Sequence, residues 1–258
     1  MGLDPDTLTY DCAEPARVAR FWAGALGFVP DLDDDGPDGD AYVADPSGRT
    51  RGIFFQKVPE PKVTKNRVHL DLRPATTRAE EVERLRGLGA EPIREVRERA
   101  SWTVMADVEG NELCVLEGAA EGAKRDRPGL DSVVIDCADP FRVAAFWVEA
   151  LGYAEHEHGA SGIELVGPRD GDPMLSFVTV PEPKTVKNRL HLDLRPSGTM
   201  REEVARLSAL GATSLNFVEI PASAVDGQGT FWTVMADVEG NELCVLRGPG
   251  DGWSRETS

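Results

Sequence analysis

Two short patterns of reactive side chains occur twice in this chain. His-x-Asp stands at His69 and Asp71 and again at His191 and Asp193, and Glu-x-Cys stands at Glu112 and Cys114 and again at Glu242 and Cys244. All four lie in strand-like runs, where residues two apart share a face. His69 therefore shares a face with Asp71 and Arg73, while Leu70 and Leu72 turn the other way. Glu112 and Cys114 likewise share a face, with Leu113 and Val115 turned to a core. Imidazole, carboxylate and thiol together allow three things. They can hold a divalent metal through N, O and S atoms, move a proton near neutral pH, or satisfy one another as buried polar groups with no ligand. The residues alone leave all three open. Trp102 and Trp232 each begin a strand and suit either core packing or stacking on a ligand.

The remaining chemistry is sparse. The Gly-x-Ser-x-Gly elbow, the P-loop and the glycine dinucleotide fingerprint are absent from the sequence. Lys65-Asn66-Arg67 and Lys187-Asn188-Arg189 read either as anion donors or as solvated basic residues. The four cysteines, Cys12, Cys114, Cys137 and Cys244, include no C-x-x-C pair. Cys12 and Cys137 fall on the helix-facing side of their strands and Cys114 and Cys244 on the opposite side, so four reduced thiols are expected.

The elements that must position these groups are themselves repeated. WTVMADVEGNELCVL recurs without change at Trp102 and Trp232, KNRVHLDLRP returns as KNRLHLDLRP, VPEPK occurs twice, and EPARVARFWAGALGF at Glu14 matches DPFRVAAFWVEALGY at Asp139. The offset between copies is 125, then 122, then 130, which places length changes in loops. One is the acidic DLDDDGPDGD tract within Asp31 to Asp40, the other the longer Asn216 to Thr230 segment. The expected organisation is a first domain over 5–118, a linker over 119–129 and a second domain over 130–248. Within each copy a strand leads through Glu14-Pro15 or Asp139-Pro140 into an amphipathic helix with Trp22 or Trp147 in the core, stopped by Gly27 or Gly152. Thr77-x-x-Glu80 and Thr199-x-x-Glu202 announce a second helix by a capping box. The DVEGN segment marks a closing hairpin.

These motifs resemble the vicinal oxygen chelate superfamily of glyoxalases, extradiol dioxygenases and bleomycin-resistance proteins, and N-R-x-H-L-D-L resembles its glyoxalase-like branch. The resemblance implies an α+β fold of tandem glyoxalase-like domains, each of two βαβββ modules forming a half-open cup. It implies metal ligands at three positions, which fall here on Thr7 and Ser132, on His69 and His191, and on Cys114 and Cys244. Only the histidines match. The expected site is therefore a metal-free small-molecule cup lined by His69, Asp71, Trp102, Glu112 and Cys114 and, in its twin, by His191, Asp193, Trp232, Glu242 and Cys244. The alternative is a metal-dependent lyase, isomerase or dioxygenase using a shifted set that includes His69, Glu112, His191 and Glu242.

Composition narrows the partners. The 258 residues carry 28 Lys plus Arg against 45 Asp plus Glu, a net charge of -17, which repels nucleic acid and anionic membrane surfaces. Acidic residues beside tryptophans favour a cationic or aromatic guest. No cofactor is required by this reading, although a divalent metal remains compatible. A cytoplasmic protein is expected, with each copy forming its own cup and the two packing as an intrachain pseudo-dimer.

Overall fold

The computed structural model describes residues 2–31, 39–48, 51–97, 101–118, 128–220 and 229–252. Copy one runs β1 (Leu3–Cys12), α1 (Pro15–Leu26), β2 (Val29–Asp31), β3 (Ala41–Ala44), β4 (Ile53–Lys57), β5 (Val68–Arg73), α2 (Arg78–Gly87), β6 (Glu91–Arg97), β7 (Ser101–Ala106) and β8 (Glu112–Val115). Copy two repeats it as β9 (Gly129–Cys137), α3 (Pro140–Leu151), β10 (Ala154–Gly159), β11 (Gly162–Val166), β12 (Met174–Thr179), β13 (Leu190–Pro196), α4 (Met200–Ala209), β14 (Thr213–Ile220), β15 (Thr230–Ala236) and β16 (Glu242–Leu246). Each copy thus holds two βαβββ modules, and the fold is α+β.

The modules do not pair within a copy. One eight-stranded sheet has the order β14-β15-β16-β13-β1-β4-β3-β2 and the other β10-β11-β12-β9-β5-β8-β7-β6. Each sheet therefore joins the first module of one copy to the second module of the other. The expectation of one private cup per copy is corrected to two cups shared between copies. The seams are antiparallel, from Leu3↔Pro196 to Tyr10↔Leu190 and from Val68↔Ile135 to Arg73↔Gly129. Because VPEPK and KNR lie between β4 and β5 and between β12 and β13, these segments cross from one sheet to the other.

The helices form as their sequences require. In α1 the apolar positions Val18, Phe21, Trp22 and Leu26 are all buried. Gly27 stops the helix in the left-handed region at φ 70°, as Gly152 does for α3 at φ 71°. Both capping boxes are present on α2 and α4. Glu14 occupies the N-cap position of α1 without capping it and pairs with Arg17 instead, whereas Asp139 accepts from the Arg142 N–H. The Asn216 to Thr230 segment is not all loop, because Asn216 to Ile220 continue β14. Residues 32–38 of the acidic tract, 119–127 of the linker, 221–228 and 253–258 lie outside the described residues.

The two faces of each sheet are chemically distinct. Leu70, Leu72, Val133, Ile135 and Cys137 join the core built with the helices, as do Leu8, Tyr10, Cys12, Leu192 and Leu194. Their alternating neighbours His69, Val134, Cys114, His191, Thr9 and Cys244 are buried on the other face, away from that core. No helix is long and apolar enough, among the described residues, to cross a membrane.

Candidate functional site

The repeated residues divide into those that tie modules and copies together and those that lie on the cup faces. Between the two modules of one copy, Glu109 accepts the Ala13 and Glu14 N–H groups, and Glu239 does the same for Ala138 and Asp139. Trp22 donates to Asp107 at 3.3 Å and Trp147 to Asp237 at 3.4 Å. Gly110 and Gly240 stand at φ 82° and 86° in these turns, where the Asp107 and Asp237 carboxylates gather the Glu109, Asn111, Glu239 and Asn241 N–H groups. Arg67 donates to the Glu182 carbonyl and Arg189 to that of Glu60, while Lys65 pairs with Asp136 and Lys187 with Asp11. Arg73 grips Asp131 through two nitrogens and Arg195 grips Asp6 in the same way. The basic tripeptides are thus ties across the copies, neither free anion donors nor merely solvated.

Glu112 and Glu242 are held inside their own copies. Glu112 accepts from Lys62 Nζ at 3.0 Å and from the Asn66 N–H at 2.9 Å, and Glu242 accepts from Lys184 at 2.7 Å and from the Asn188 N–H at 3.1 Å. Both oxygens of each carboxylate are occupied. The glutamates expected as cup-lining groups or alternative metal ligands are thus already engaged by neighbouring lysines and backbone amides. VPEPK, KNR and DVEGNE repeating together was the available signal.

What remains on the open faces is His69 with Asp71 and Cys114, and His191 with Asp193 and Cys244. In each trio one ligand atom per residue lies within 4.8 Å of the others. Parallel pairing of β5 with β8 places Asp71 opposite Cys114, and β13 with β16 places Asp193 opposite Cys244. Nε2 of His69 stands 3.6 Å from Asp71 Oδ1, and Nε2 of His191 3.3 Å from Asp193 Oδ1. His69 and His191 are only 9% and 6% exposed, yet Nδ1 of both and Oδ1 of both aspartates have no hydrogen-bond partner. Thr7 and Ser132, at the opening-strand positions, sit opposite Asp193 and Asp71. Trp102 and Trp232 are partly buried two residues along from Val104 and Val234, which pair with Cys114 and Cys244. Alternation puts both tryptophans on the cluster face.

Electrostatics sharpen the His69 cup. Burial, opposed by a hydrogen bond with Cys114 and aided by nearby Asp131, raises Asp71 to about 7. Burial and the Lys65 charge lower His69 to about 4. A neutral imidazole therefore faces a half-protonated carboxyl at neutral pH. Burial and the Asp71 charge push the Cys114 thiol up, and burial and Asp193 do the same to Cys244. All four cysteines are free and buried.

As a metal centre the trios offer N, O and S donors whose His–Asp separations match neighbouring ligands around one small divalent ion. The residues fit such an ion in type and number. The histidine Nδ1 atoms, however, lack the carbonyl or carboxylate that ordinarily orients a ligating imidazole.

A glyoxalase-like domain model matches residues 7–116 and 132–246. Glyoxalase I from Zea mays is similar in structure, with a TM-score of 0.66 at 13% identity over 95% of this chain and 92% of that one. A putative dioxygenase from Bacillus subtilis gives 0.63 at 14% identity, over 95% and 84% of the two chains. No curated protein matches the chain. Identities this low speak for the fold.

Proposed function

Because this chain belongs to the glyoxalase-like domain family, we propose that its two cups are small-molecule sites, each centred on a histidine and aspartate from one strand and a cysteine from the next. The observation that carries this reading is the set of unpartnered buried atoms, Nδ1 of His69 and His191 and Oδ1 of Asp71 and Asp193. Leaving such a group unsatisfied costs about 1–3 kcal/mol. A ligand with its own donors and acceptors repays that cost. The same arrangement appears twice, in two different surroundings.

We read the cups as metal-free in their working form. The raised thiols donate to the aspartates, and neutral His69 beside half-protonated Asp71 can pass a proton to or from a bound group at Nε2. The guest is small, with cationic or aromatic character, and the protein acts in the cytoplasm with its thiols reduced.

A second reading rests on the convergence of three ligand atoms in each trio. There His69, Asp71 and Cys114, and their counterparts, would hold a divalent metal that acts as a Lewis acid on substrate oxygens when bound. Elemental analysis of protein purified without chelator separates the two. The metal-free reading expects less than about one equivalent of transition metal per chain. Stoichiometric metal in the wild type, lost from the His69→Ala, His191→Ala double variant, would establish the second reading instead.

A further inference from the structure

Strand register lays one continuous rung of residues across each cup, and the two rungs carry opposite polarity. In the His191 cup the rung is Asp31↔Tyr42↔Phe54↔Thr9↔His191. In the His69 cup the same five places read Glu157↔Glu164↔Ser176↔Val134↔His69. Neighbouring strands lie about 4.8 Å apart, so the third residue out from each histidine is about 14 Å away along the sheet. Beside His191 stands a hydroxyl, with aromatic rings farther out. Beside His69 stands an aliphatic side chain, with a hydroxyl and then carboxylates farther out.

We propose that the two cups select different ligands: the His69 cup one with an apolar body at Val134 and a cationic group at Glu164, the His191 cup one with a polar group at Thr9 and an aromatic or apolar body on Phe54 and Tyr42. This deepens the small-molecule reading and rests on it. Glu157 and Glu164 face each other directly across β10 and β11, where like charges repel. Neither forms an ion pair among the described residues, and Glu164 is half-buried. Of the basic side chains that act on Glu164, Arg73 is already committed to Asp131 and His156 is exposed on β10. A ligand ammonium or guanidinium at this end would relieve the repulsion that the fold leaves standing. Raised protonation of Glu164, caused by burial together with Glu157 and Asp131, is the expected sign of such an uncompensated site. The buried, unpartnered Nδ1 of His69 marks the inner end of the same rung.

In the His191 cup the equivalent wall carries no such pair. Tyr42 and Phe54 are each partly buried and directly opposed, giving an aromatic wall two and three strands from the imidazole. Thr9 is committed to Asp193, so its hydroxyl presents lone pairs to an incoming donor.

Two probes of equal length separate the cups: 4-phenylbutylammonium and 4-phenylbutan-1-ol, titrated calorimetrically into the full chain and its variants. Glu164→Gln should weaken the ammonium about tenfold and leave the alcohol unchanged. Phe54→Ser should weaken the alcohol and leave the ammonium unchanged, with Phe54→Leu as the milder control and a thermal melt to show that each variant is folded. Equal responses of both probes to both substitutions, no response to either, or no binding to the wild type would overturn the proposal. His69→Gln and His191→Gln form the separate arm. If probe binding follows the wall substitutions but ignores these, the wall assignment stands and the histidine-centred reading falls.

Discussion

The Thr9 hydroxyl, opposite His191, donates to Asp193 at 2.8 Å, whereas Val134 holds the same place opposite His69 and has nothing to donate to Asp71. Thr7 adds a longer contact of 3.4 Å to the same carboxylate oxygen. Two cups with the same trio therefore solvate their aspartates differently. Thr9→Val should cost about 1–3 kcal/mol, measured by chemical denaturation at pH 7. Val134→Thr should pull the Asp71 titration down from about 7, read from its carboxyl carbon NMR signal. No movement of that signal would mean that burial alone sets it.

The shifts in the His69 cup oppose one another in their effect on stability. Asp71 is raised from 3.8 to about 7, so the folded state holds a proton that the unfolded chain has lost, and stability falls as pH rises through that window. His69 is lowered from 6.5 to about 4, so the unfolded chain binds the extra proton, and stability rises between those values. The two nearly cancel in the wild type. Asp71→Asn should uncover a stability that climbs from pH 4 to 6.5, and His69→Gln one that declines from pH 4 to 7. Denaturant unfolding across this range checks both slopes, and parallel profiles in the two variants would refute the assignment.

Crossed pairing makes the turns at Glu109 and Glu239 structural. Each carboxylate accepts two N–H groups ahead of a helix in the other sheet. Glu109→Ala and Glu239→Ala should each destabilise by about 1–3 kcal/mol. Ligand affinity in either cup should change little. Losing affinity without stability would place these glutamates in the site instead.

Much of this was readable from sequence, for identifiable reasons. Trp22, Gly27 and the Thr77 capping box act locally, so spacing alone placed them. The faces of β5 and β8 followed from alternation, which put His69, Asp71 and Cys114 together. Crossed pairing was invisible because β1 and β9 carry the same alternation, as do β5 and β13, so either partner satisfies the pattern. Edge strands β6 and β14 are largely exposed and show no clean alternation. Glu112 shares a face with Cys114 by alternation, but its partners could not be read that way. Only the fold brings Lys62 and the Asn66 N–H to meet it.

The thiols give an independent check on the faces. Burial raises Cys137 to about 12 and drives the other three up as well. Native protein at pH 8 should react slowly with a thiol reagent, and unreduced, denatured protein should yield four free groups. Two or fewer would contradict the opposed placement of Cys12 and Cys137 against Cys114 and Cys244.

The most direct test of the cups themselves uses the four histidines, two at cup centres and two, His156 and His158, exposed on β10. Long-range nitrogen–proton NMR of the imidazoles should be recorded for the full chain with any small molecule that raises its Tm in a ligand screen. The expected result is that the His69 or His191 nitrogens move on ligand addition while those of His156 and His158 stay, with the Tm gain lost in the corresponding His→Gln variant. Stabilising compounds that leave both cup imidazoles unmoved and act equally on the variants would show that the trios are packing features and that ligands bind elsewhere.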